Sequence, residues 1–75
     1  MKVHYDDDID ALYLSLGDQS PDGAIEIAAG VNLDTTSNGK IVGIEILDAS
    51  NRMDIKTILS YTLDLEHGLS RHRAA

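Results

Sequence analysis

The chain has 75 residues, no cysteine, six Lys and Arg against thirteen Asp and Glu, and a formal net charge of −7. Disulfides and thiolate metal sites are excluded, and nucleic acid is not expected as a direct partner because phosphate contacts need clustered cations. A domain this short buries only about 60% of the surface its unfolded form exposes, so a homo-oligomer, a dimer in particular, is the expected support.

The charge is uneven. Residues 1 to 66 hold all the acids against Lys2, Lys40, Arg52 and Lys56, while Arg71 and Arg73 lie beyond them. Such an acidic body suits a small basic protein partner. The opening Met-Lys-Val-His-Tyr-Asp has no apolar run of leader length, and no later segment approaches the roughly 20 apolar residues that span a bilayer, so no membrane contact and a cytoplasmic address are expected.

In chain order, Lys2 to Tyr5 predicts a short strand with Val3 and Tyr5 on one face, stopped by the mutually repelling Asp6-Asp7-Asp8. From Asp10, the alternation of Leu12, Leu14 and Leu16 with Ala11, Tyr13 and Ser15 predicts a second, half-buried strand. Turn formers from Gly17 to Gly23, with the only proline, make a loop. Ala24 to Ala28 resumes the alternation, with Ile25 and Ile27 inward and Glu26 outward, and Gly30 permits a turn into a fourth strand with Val31 and Leu33 inward. Asn38-Gly39 between β-branched runs predicts a type I′ hairpin turn, which needs φ > 0 at both central residues. The fifth strand, Ile41 to Leu47, is apolar on both sides and is expected to be covered on both; Gly43 within it points to a bulge or a close approach by another group. Ile55, Ile58, Leu59 and Thr62 then fall at helical spacing, predicting one helix over about 54–66, ended by Gly68 and followed by a frayed tail over 68–75. Residues 61 to 67 also carry a strand-like alternation.

These elements predict an α+β, mainly β domain over 1–75: a five-stranded antiparallel β-meander over about 2–48 and one C-terminal α-helix. No catalytic constellation is present. Ser, His and Asp occur without a nucleophile elbow or a phosphate loop, so no enzyme and no cofactor are expected. His4, His67 and His72 are too dispersed for a zinc signature. Asp6, Asp8 and Asp10 have the spacing that opens a calcium loop, but Ala11 stands where that loop needs Gly and Gly17 where it needs Glu, which leaves them weak metal candidates. Tyr13, on the face opposite Leu12 and Leu14, and Ile41, Glu45 and Leu47, on the face of the fifth strand opposite Val42, Ile44 and Ile46, are the interface candidates, Tyr13 for its apolar ring and polar tip.

Tyr5-Asp6 with Asp10-Ala11-Leu12-Tyr13-Leu14, then Gly30-Val31, then Asn38 to Ser50 with its Gly-Ile-Glu-Ile-Leu-Asp-Ala-Ser segment, resemble the domain of unknown function 2283 (DUF2283) family of small prokaryotic proteins. The resemblance covers about residues 3 to 50. It implies a β-meander followed by a helix and no established activity. Some relatives are encoded beside small toxin-like proteins, which implies an antitoxin role. Two functions therefore stand against each other: a self-associating protein-interaction module, or a domain that binds a small molecule or a divalent metal through its acidic turn.

Overall fold

The computed structural model describes residues 1–58, 60 and 64–66. Its strands are β1 (Lys2–Asp6), β2 (Ala11–Ser15), β3 (Gly23–Ala28), β4 (Val31–Thr35) and β5 (Ile41–Leu47), followed by two single-turn helices, α1 (Ala49–Arg52) and α2 (Ile55–Ile58). The five strands form one antiparallel sheet, but in the order β1-β2-β5-β4-β3.

That order corrects the expected meander. β2 pairs with β5 and not with β3. The physical reason lies in the partners: Leu12 meets Ile46 and Leu14 meets Ile44, so the most apolar strand takes the centre, with aliphatic neighbours on its inner face. Residues 16–22 must then cross the end of the sheet from β2 to β3. Three strand spacings are roughly 14 Å, within the reach of about 23 Å that seven extended residues have. The crossing is fastened where it passes: Leu16 N–H donates to Val42 O at 2.9 Å and Asp22 N–H to Thr35 O at 2.8 Å. Gly17 passes close to β5 there: a Cβ on it would sit 3.2 Å from Val42 Cγ1.

The β4–β5 hairpin forms at Asn38-Gly39, but its turn is not type I′. Gly39 takes φ 88°, whereas Asn38 does not adopt positive φ. Gly39 N–H donates to Thr36 O at 3.0 Å and Thr36 N–H to Lys40 O at 2.9 Å. The Thr36 hydroxyl donates to Asn38 Oδ1 and accepts from Lys40 N–H. The longer loop, closed by glycine in the left-handed region, absorbs the register shift that follows Asp34.

The single helix expected over 54–66 is also corrected. The first helical turn begins earlier, at Ala49, and is broken at Met53, whose φ of −157° is extended. A second turn covers Ile55–Ile58, and Asp64 and Leu65 have no regular structure. Strand-like alternation from Tyr61 competes with helix propagation there. The expectations for 61–63, 67 and the tail 68–75 lie outside the described residues.

The inner face carries the row Val3, Leu14, Ile44, Leu33, Ile25 and the row Tyr5, Leu12, Ile46, Val31. Ala49, Met53, Ile55 and Ile58 pack over the second row, where Leu12 and Ala49 have no solvent exposure. The cover ends before β3, all of whose residues are exposed.

Candidate interaction surface

Asp10 closes the β1–β2 turn with φ 54°, in the left-handed region that Asp tolerates. There its carboxylate gathers three donors: Tyr5 Oη at 2.6 Å, Ser50 Oγ at 2.7 Å and Ser50 N–H at 3.0 Å. Its carbonyl accepts Ala49 N–H at 3.0 Å. A carboxylate forty residues upstream therefore caps α1, while Asp48, at the usual capping position, makes no side-chain cap bond. The Tyr5 and Ser50 hydrogen bonds hold the Asp10 carboxyl below its ordinary value, and the same contact pushes the Tyr5 hydroxyl up to about 12. On the other side of the chain, Arg52 Nη2 donates to Ala29 O at 2.5 Å and ties α1 to the β3–β4 turn.

Of the metal candidates, Asp6 and Asp8 come together and Asp10 stands apart, engaged by Tyr5 and Ser50. Carboxylate oxygens of Asp6, Asp7 and Asp8 lie within 4.8 Å of one another, and Asp10 is not among them. Asp6 Oδ1 already accepts Asp8 N–H at 3.0 Å, an ordinary turn-stabilising bond.

The outer face carries the interface candidates. His4, Tyr13, Glu45, Asn32 and Glu26 stand in one row across the five strands. Tyr13 Oη passes over Gly43 to donate to Asp34 Oδ2 at 2.7 Å, and Asn32 Nδ2 donates to Glu45 Oε1 at 3.2 Å. The Asp34 hydrogen bond raises the Tyr13 hydroxyl above its ordinary value. The centre of this face is thus a polar network, with Ile41 (48% exposed) and Leu47 (41%) at opposite ends of β5. Beside the network, a hollow of 290 Å³ is lined by Lys2, His4, Tyr13 and Ser15. The sequence reading missed the larger apolar exposure, which lies on β3 at Ile25 (55%) and Ile27 (57%). Alternation alone did not reveal it, because β3 alternates like its covered neighbours.

A family model described as a protein of unknown function, DUF2283, matches residues 2–50. The chain belongs to the DUF2283 family. The matched region holds all five strands and ends at Ser50, the residue whose amide and hydroxyl close on Asp10, so the DUF2283 unit is the sheet together with its clamp. Neither curated proteins nor solved structures yielded a match. Among the described residues of this DUF2283 protein, no helix is long and apolar enough to cross a membrane.

Proposed function

We propose that the protein is a non-enzymatic interaction module that self-associates, with a dimer as its working form, and that its remaining apolar surface receives a protein partner. One observation carries this reading. Among the described residues only Leu12, Val42, Ile46 and Ala49 are buried apolar side chains, whereas Ile25 and Ile27 are more than half exposed on a strand with no cover. A sheet whose edge strands meet no further strand among the described residues, and whose β3 isoleucines stay exposed, gains stability from contact with another molecule.

The net charge of −7 favours a small basic protein as that partner. An antitoxin that masks a basic toxin is the sharpest form of this reading. A labelled lysine-rich amphipathic peptide is expected to bind the wild type and to lose binding to Ile25→Glu/Ile27→Glu. Equal binding by both proteins would remove β3 from the account. Size-exclusion chromatography with light scattering tests the self-association: a mass above the 8.1 kDa protomer supports it.

The competing reading, a cation or small-molecule site in the acidic turn, has the proximity of Asp6, Asp7 and Asp8 in its favour. A ligand at 100 times its Kd would add about 2.7 kcal/mol to stability. A thermal shift of that size with calcium or magnesium would favour it over ours.

A further inference from the structure

The two edges of the sheet are not equivalent. β3 carries a register shift between Glu26 and Ala28, a feature that ends pairing at an edge. Pairing β3 with a second copy about Glu26 would also set two carboxylates opposite each other. β1 has neither obstacle: Lys2-Val3-His4-Tyr5-Asp6 keeps an unbroken register against β2 and contains no proline.

We propose that β1 pairs antiparallel with β1 of a second copy about a two-fold axis through His4, joining two five-stranded sheets edge to edge. The proposal rests on the self-association reading and assigns it a surface and a register. Residues opposite each other in an antiparallel pair share a face, so the axis must pass through a residue and not between two. Through Val3 it would leave Asp6 unpaired; through Tyr5 it would run β1 of the second copy against the acidic turn. Through His4, Lys2 meets Asp6 of the second copy at both ends, and Val3 meets its Tyr5. These are opposite-charge and aromatic with β-branched pairs, both favourable across strands.

Neither charge faces an opposite charge on the neighbouring strand. Directly opposite Lys2 on β2 is Ser15, and opposite Asp6 is Ala11. Within β1 itself the two charged residues are about 13 Å apart, beyond contact. Asp6 also sits among the carboxylates of Asp7 and Asp8, and a lysine from the second copy relieves that repulsion. Tyr13, which faces His4 on β2, and Glu45 beyond it complete the outer row without adding a cation at the axis. Val3 and Tyr5 are half-buried in the protomer and gain cover from each other across the axis. Five residues a side make a small interface, so the association is weak and reversible.

Sedimentation velocity from about 10 µM to about 1 mM tests it. The wild type is expected to sediment faster as concentration rises. Lys2→Asp sets carboxylate against carboxylate and Asp6→Lys sets ammonium against ammonium, so each alone stays a monomer. An equimolar mixture of the two variants regains complementary pairs and associates, which a folding defect could not imitate. The chain lacks cysteine, so oxidation of His4→Cys reads the axis directly: opposite Cα atoms about 4.5–5.5 Å apart accept a disulfide, and a covalent dimer is expected. Ile25→Cys should remain a monomer under the same oxidation. Association of the wild type that both charge variants leave unchanged, or cross-linking at Ile25→Cys and not at His4→Cys, overturns the β1 register while sparing self-association. A wild type that stays monomeric throughout overturns both.

Discussion

Tyr13 reaches from β2 across β5 to Asp34 on β4 only because the residue beneath its ring is Gly43. A Cβ built on Gly43 would lie 2.5 Å from Tyr13 Cζ, well inside contact distance. Gly43→Ala should therefore displace the ring, break the Tyr13–Asp34 hydrogen bond and cost about 1–3 kcal/mol in denaturant unfolding. Absorbance titration of Tyr13 in that variant should return its hydroxyl toward the ordinary value, since the Asp34 contact is what raises it. A glycine inside a strand was legible as a sign of close approach; which side chain approached was not, because that depends on β2 lying next to β5.

Asp10 carries the other residue-scale consequence. Its carboxyl is held below the unfolded value by Tyr5 and Ser50, so its contribution is present above the unfolded pKa and is lost as pH falls through the lower folded value. Tyr5 runs the opposite way. Raised to about 12, it contributes below its unfolded value near 10 and loses that contribution as pH climbs from there to about 12. Thermal unfolding against pH should show both limbs in the wild type. Asp10→Asn, which keeps a side chain tolerant of left-handed backbone, should lower Tm by several degrees at neutral pH and flatten the acid limb. An unchanged acid limb would mean that the clamp is not made in solution. The aspartate was visible in the sequence as a member of an acidic spacing, and its real task was hidden because Ser50 is forty residues away.

At the scale of elements, all five strands were legible from alternation and turn residues, whereas the expected meander would have left β5 at an edge. Their order was not legible, since alternation fixes a strand's faces and says nothing of its neighbours. The helix was misjudged for a related reason. Helical spacing from Ile55 is genuine but short, and the first helical turn at Ala49 is imposed by tertiary bonds to Asp10 with little support from propensity. Native-state hydrogen exchange should follow the same logic. Amides of β5, paired on both sides, should exchange slowest, those of β1 and β3 faster, and those of α2 near the rate of local opening. Protection in α2 equal to that of β5 would show a helix packed more firmly than its single turn allows.

For the molecule as a whole, the core is thin. Leu12 is the one large side chain without exposure among the described residues, so Leu12→Ala should cost about 2–5 kcal/mol, enough to unfold a domain of this size. The short length is what first suggests a partner chain. The expected interface face has a polar network at its centre with Ile41 and Leu47 exposed at its ends, and β3 adds the exposed Ile25 and Ile27. In the dimer proposed above, a second copy completes this sheet at β1. Light scattering of the wild type across a hundredfold concentration range tests it most directly: the weight-average mass should climb from near 8.1 kDa toward twice that value. A mass fixed at 8.1 kDa over the whole range would contradict it.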